Sequence, residues 1–160
     1  MMAALAVGSA QAAIDQTAVW MKNRHAFGGP IGRFSHLQQA MAHWIARLRM
    51  AWLLVENVAG QIDAHAWPVS DAAMLKAEAL EAAIGATEWA TTVFGAAGYD
   101  VATGLEKRHR DLLGLRIADG TTDVLRSQVA RAFLGERLYE MALNRSPVGS
   151  DSDLQSRRFW

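Results

Sequence analysis

Apolar residues recur at steps of three and four along most of this chain, which points to helices rather than strands. Residues 2–25 contain no proline and keep helical register through Ile14, Val19, Trp20 and Met21. The Phe27-Gly28-Gly29-Pro30 run then forces a stop, because proline lacks an amide donor and glycine turns freely. A second helix is expected from about Ser35, whose hydroxyl can cap free backbone N–H groups. It carries one apolar stripe at Leu37, Met41, Trp44, Ile45, Leu48, Trp52, Val55, Ala59 and Ile62. Ala66-Trp67-Pro68-Val69-Ser70-Asp71 ends that stripe and offers two capping side chains. A third helix follows through Met74, Ala77, Ile84, Thr91 and Phe94, with alanines that permit close helix approach.

Gly95-Ala96-Ala97-Gly98-Tyr99 interrupts this pattern. The charged run Glu106-Lys107-Arg108-His109-Arg110-Asp111 and the apolar stretch at residues 112–117 are expected to form a connection with a short helix. Ala118-Asp119-Gly120-Thr121-Thr122-Asp123 is a further loop ending in capping residues. A last helix then carries Val124, Leu125, Val129, Ala132, Phe133 and Leu138. The expected fold is all-α, an antiparallel four-helix bundle over residues 1–145, with a loosely ordered polar tail at 146–160.

Composition narrows the function classes. With 160 residues and 51% apolar content, one substantial core is enough. Sixteen basic and 16 acidic side chains cancel, so no overall field gathers nucleic acid or an anionic membrane. Cysteine is absent, which suits a reducing cytoplasm and removes thiolate chemistry. The alanine-rich opening superficially resembles a signal peptide but lacks a basic start, so it reads as part of a mature helix. No apolar run reaches the roughly 18 residues needed to span a bilayer. No metal site is expected.

The loops, taken in order, carry motifs that resemble the C-terminal domain of acyl-CoA dehydrogenases. Arg24-His25-Ala26-Phe27-Gly28, continuing into Phe34-Ser35, is similar to the family's Arg-x-x-Phe-Gly segment and its following Phe-Gln. Val93-Phe94-Gly95-Ala96-Ala97-Gly98-Tyr99 is similar to its Gln-x-x-Gly-Gly-x-Gly-Tyr turn. Leu105-Glu106-Lys107 and Arg110-Asp111 lead to Ile117-Ala118-Asp119-Gly120-Thr121-Thr122-Asp123-Val124, similar to Ile-x-Glu-Gly-Thr-x-Glu-Ile. Each motif alone is common; their order and spacing together carry the resemblance, which spans nearly the whole chain.

The resemblance implies an FAD site shared between chains. Arg24 would face the pyrophosphate and adenosine side, where a guanidinium makes charge-assisted bonds; its plain alternative is a solvated cation at a helix C-terminus. Phe27 would pack on the flavin nucleotide, or instead plug the core; Gly95, Ala96 and Gly98 would lie along the adenylate half, or form an ordinary helix cap; Phe34, Ser35, Thr92 and Phe94 would also belong to the cofactor site. Thr92 stands where the family usually has Gln, and Ala96 replaces the second Gly. Thr121 and Asp123 would touch the flavin nucleotide. Asp119 takes the position of the Glu that abstracts the α-proton of the acyl thioester, one methylene shorter; its alternative is a turn residue before an N-capping Thr121. Arg110 and Asp111 read as a structural ion pair or cap.

Family members also have an N-terminal helical domain and a β-domain, which this sequence lacks. Activity is therefore expected only with a partner supplying those domains: an oxidoreductase of fatty acid metabolism that dehydrogenates an acyl-CoA. The other expectation is a non-catalytic helical interaction module. Self-association to a dimer or tetramer is expected in either case. Bundle packing is expected to bring the turns around Arg24, Gly95 and Asp119 to the rim of a shared nucleotide crevice.

Overall fold

The computed structural model describes residues 1–135, so Leu138 and the expected tail lie outside the described residues. Helix α1, Met2–Asn23, buries Ala3, Ala6, Val7, Ala10, Ala13, Ile14, Thr17 and Met21, a face at helical spacing. It stops earlier than its pattern suggested. His25–Ala26 (β1) and Gly29–Pro30 (β2) instead pair as a two-residue antiparallel hairpin, too short to show alternation in sequence. A 3₁₀ turn, Ile31–Arg33, leads into α2, Ser35–Asp63. No side chain caps α2 or α3, so Ser35, Ser70 and Asp71 do not act as caps. Asp71 instead accepts a hydrogen bond from Gln61 at 2.8 Å, tying the two helix ends together.

Helix α3, Val69–Phe94, is the axis of the bundle. Its buried positions include runs such as Leu75-Lys76-Ala77 and Ala82-Ala83-Ile84, which no single face could accommodate, and it packs against α1, α2 and both later helices. Alanine makes that possible, since small side chains let several neighbours approach one helix closely. The buried hydroxyls of Thr17 and Thr87 are satisfied within their own helices, by Ala13 O at 2.7 Å and by Ala83 O and Ile84 O at 3.0 and 2.9 Å.

The fourth limb is a broken helix. After the short α4, Ala96–Tyr99, and a 3₁₀ turn at Val101–Thr103, helix α5 runs Leu105–Ile117 and α6 runs Thr122–Leu134. Leu105 packs with Ala13, Ala90 and Phe94, His109 lies 3.2 Å from Thr87, Arg116 lies 3.0 Å from Glu81, and Leu125 packs with Ala73 and Ala77. Together α5 and α6 thus descend α3 antiparallel, with the Asp119 turn between them. The short helix expected here takes in the whole charged run: Glu106 pairs with Arg110 at 3.1 Å and Lys107 with Asp111, both at i,i+4, leaving Leu105 and Leu112 to the core. Arg110 and Asp111 are therefore paired, but not with each other.

Two stability predictions follow from this packing. A Cβ built on Gly85 would sit 2.3 Å from the ring of Trp44. Gly85→Ala gains about 1 kcal/mol of helix propensity but must displace that ring, at a cost of about 1–3 kcal/mol. A net loss of roughly 1 kcal/mol is expected in chemical denaturation. The Asp111 carboxyl is held below its usual range, first by the hydrogen bond from Lys107. A lowered folded-state value stabilises above the ordinary carboxyl range, and that contribution is lost as pH falls through the lowered value. The pair is fully solvated, so Asp111→Asn should shift the neutral-pH thermal midpoint by no more than about 2 °C.

Candidate functional site

The sequence motifs fall on two places in the fold. The first is the end where α1 and α3 both finish. Arg24 caps α1 and its guanidinium lies over the Trp20 ring, 5.8 Å from the centroid. Trp20 stacks on Phe94, with centroids 4.4 Å apart and planes 15° apart. The Phe94 ring is buried, so it couples the Gly95 turn to Arg24 through Trp20. Gly95 adopts φ +61° at the C-terminus of α3, with no atom within 4 Å of a built Cβ. Its exposed backbone can therefore be approached closely, the property a nucleotide-binding turn requires. Ala96, also exposed, opens α4, and the Thr92 hydroxyl is taken up by Glu88 O at 3.0 Å.

Phe27 sits at the tip of the hairpin, 88% exposed, with φ +52° followed by +84° at Gly28. Positive φ at both central residues is the geometry of a type I′ turn, which ordinarily selects Asn or Gly. An aromatic ring held outward there is a departure from both fold logic and core packing. Arg33 fixes it by donating to the carbonyls of Phe27 and Gly28, and its guanidinium lies over the Phe34 ring, 5.2 Å from the centroid. The rings of Phe27 and Phe34 meet edge to face at 6.2 Å. Ser35, exposed, begins α2 beside them. The expected alternative of Phe27 as a core plug is excluded by its exposure.

The second place is the break between α5 and α6. Asp119 is exposed, with φ +50°, and Gly120 follows at +94°. Asp is among the few side chains that tolerate this left-handed region. Thr121 is the N-terminal cap residue of α6 by position, without a side-chain cap bond. Asp123 is exposed in the first turn of α6. The break is held from α3. Lys76 Nζ donates to Ala118 O and Gly120 O, and Glu81 accepts from Thr122 at 3.1 Å while pairing with Arg116. Glu78 holds Arg126 at 2.9 Å and thereby favours its charged form, with Glu81 and Asp123 adding to the effect.

These two places do not meet within one chain. Phe94 lies eighteen residues beyond Lys76 on α3, about 27 Å at the helical rise of 1.5 Å per residue. The turns at Arg24 and Gly95 share an end of the bundle, whereas the Asp119 turn lies well down its side. Within one chain the motifs thus form two separate surfaces, and a crevice that joins them would have to include a neighbouring copy. An apolar groove of about 460 Å³ between the end of α2, the start of α3 and α6 is lined by Ile62, Trp67, Leu125 and Gln128 among others. None of the candidate residues lines it. Trp20, Arg33, Lys76 and Glu81 were not singled out from sequence. Lys76 did carry a signal, as a lone cation inside the apolar stretch at residues 72–77.

Comparison with known proteins supports the helical fold. Residues 1–134 match the model of the family described as "Acyl-CoA dehydrogenase, C-terminal domain". A 3-sulfinopropanoyl-CoA desulfinase of Paraburkholderia xenovorans is 38% identical over 137 residues, 85% of this chain and 35% of that protein. The solved butyryl-CoA dehydrogenase of Megasphaera elsdenii superposes with a TM-score of 0.81 at 28% identity, over 84% of this chain and 35% of that one. A solved FAD complex of PigA superposes with a TM-score of 0.78 at 27% identity, over 82% and 34% respectively. The chain thus spans about a third of the length of these relatives. No described helix is long and apolar enough to cross a membrane.

Proposed function

Because this chain belongs to the acyl-CoA dehydrogenase family, as its C-terminal helical domain, we propose that it serves an FAD-dependent assembly that dehydrogenates an acyl-CoA. Asp119 is the base. The observation that carries this reading is the Asp119 turn itself: a carboxylate displayed outward at a break in the bundle, with its backbone left-handed and tied down at both sides. A freely solvated turn has no need of such restraint, whereas proton abstraction needs a base held in place.

In this assignment the Asp119 carboxylate takes the α-proton of the thioester, and the flavin supplies the acceptor for the β-hydride. Thr121 and Asp123 lie beside Asp119 on the flavin-nucleotide side. Arg24 offers a guanidinium to a pyrophosphate, and Phe27 and Phe34 offer aromatic faces. Gly95, Ala96 and Thr92 offer backbone and small side chains to an adenylate, while Phe94 and Ser35 support that surface. In this reading the two surfaces, set apart along α3, face different FAD molecules in an assembly with more than one copy of this domain, a dimer or tetramer, in which the family's N-terminal and β domains complete the site. We place it in the cytoplasm, consistent with the absence of cysteine.

A second reading, an interaction module without chemistry, draws on the apolar side chains exposed along α1 and α2, including Leu5, Ile45, Met50, Trp52 and Leu53. Co-expression with a polypeptide carrying the family's N-terminal and β domains separates the two. The first reading predicts that the purified complex is yellow, and that Arg24→Ala weakens flavin retention. A colourless complex of normal stoichiometry favours the module.

A further inference from the structure

Lys76 is a cation buried among alanines and leucines, 8% exposed. Burying an ammonium is costly unless acceptors replace its water, and a leucine or methionine would fill the same space without that cost. Two acceptors do replace the water, and they are the carbonyls on either side of one residue: Ala118 O and, at 2.8 Å, Gly120 O. Two such carbonyls can converge on one ammonium only if the intervening chain curls back. That curl is the pair of positive φ angles at Asp119 and Gly120. The restraint therefore reaches across 42 and 44 residues of sequence from the central helix to the one turn that carries a candidate base. Glu81, one and a half turns further along α3, holds Arg116 before the break and Thr122 after it. The break is thus fixed at its ends by Glu81 and at its centre by Lys76.

We propose that Lys76 is the positioning residue of the Asp119 turn, its buried ammonium setting the direction in which the carboxylate leaves the helix break. Its effect on chemistry rests on the assignment of Asp119 as base; its hold on the turn does not. Lys76→Met keeps the aliphatic stem and removes the donors. Backbone ¹⁵N order parameters at Asp119 and Gly120 should lie near the rigid value of about 0.85 in the native chain and fall below about 0.6 in Lys76→Met. The other helices should keep their values and the helical content should not change. Lys76→Arg, whose fork can reach two carbonyls, should recover most of the rigidity. In the native chain, magnetisation should also pass through the hydrogen bonds from Lys76 Nζ to the carbonyl carbons of Ala118 and Gly120, a readout that needs no variant to fold.

In the flavin-containing complex, Lys76→Met should lower kcat on the order of a hundredfold with KM unchanged, the penalty of a base misplaced by about an ångström. A turn equally rigid in Lys76→Met, a loss of order spread over every helix, or native Lys76 without a through-bond signal each overturns the proposal. A native complex that binds flavin but turns over no acyl-CoA sinks the role of Asp119 instead, and the order parameters still decide whether Lys76 holds the turn.

Discussion

Asp119→Asn should lower turnover of the flavin-containing complex by about 10²–10⁴-fold, the range associated with one general base, while leaving the melting temperature of the chain unchanged. Asparagine matches aspartate in shape and is equally at ease with positive φ, so the turn at φ +50° need not rearrange. The carbonyls that Lys76 holds are backbone atoms and persist in the variant. What disappears is the capacity to accept a proton. Asp119→Glu adds a methylene and restores the carboxylate length found in the family, and it should remain active if the β-domain leaves room. Steady-state rates with an artificial electron acceptor, measured beside thermal unfolding of the same preparations, check both halves of this expectation. A fall in rate accompanied by unfolding would indicate a structural role for Asp119.

The second large effect concerns stability. Gly98→Ala should destabilise the chain by about 2–3 kcal/mol and lower its thermal midpoint by roughly 5–10 °C. A Cβ at Gly98 would stand 2.3 Å from the carbonyl oxygen of Thr91 and 3.0 Å from Cβ of Phe94. The contrast with Gly85 is instructive, since there the obstacle is a ring that can swing aside. At Gly98 the nearest obstacle is backbone, and relief requires α4 to pull away from the end of α3. Phe94 would then lose part of its packing, and the ring stacked on it is Trp20, beneath Arg24. Tryptophan fluorescence should therefore change with Gly98→Ala, and flavin retention should weaken although residue 98 bears no ligand group. Thermal unfolding unchanged from the native chain would show that the tight packing around Gly98 is absent in solution.

The long helices were legible because their stops are chemical. Gly28-Gly29-Pro30 and Pro68 fall in the breaks between α1 and α2 and between α2 and α3, and Gly95 sits where α3 must turn. The short helix expected near residues 106–117 is α5, but its extent is hard to read because its charges outnumber its apolar residues; only Leu105 and Leu112 are buried, and i,i+4 ion pairs supply the rest of its pattern. The stripe on α2 was over-read. Leu48 is buried and Trp44 and Val55 are half-buried, but Ile45, Trp52 and Ile62 of the same stripe face outward, because the bundle contacts one flank of the helix. Period alone cannot tell a core-facing flank from one left for a partner.

The candidate site is marked in the sequence by its motifs and not by its geometry. Arg24, Phe27, Gly95 and Asp119 stand out through motifs, but the length of α3 keeps Asp119 away from the other three, and no sequence spacing encodes that. The restraints were invisible for a related reason. Arg33 acts on carbonyls five and six residues earlier, and Lys76 on carbonyls more than forty residues later. Backbone acceptors leave no mark in a sequence, so although the apolar surroundings of Lys76 single it out, nothing in the sequence says what it holds.

The most direct measurement is anaerobic addition of an acyl-CoA to the complex of this chain with a polypeptide carrying the N-terminal and β domains, followed by flavin absorbance. The yellow colour should bleach rapidly with native chain and persist over the same interval with Asp119→Asn, at equal flavin content. Equal bleaching rates in the two preparations would remove the proton-abstracting role from Asp119, and with it the functional assignment of the turn between α5 and α6.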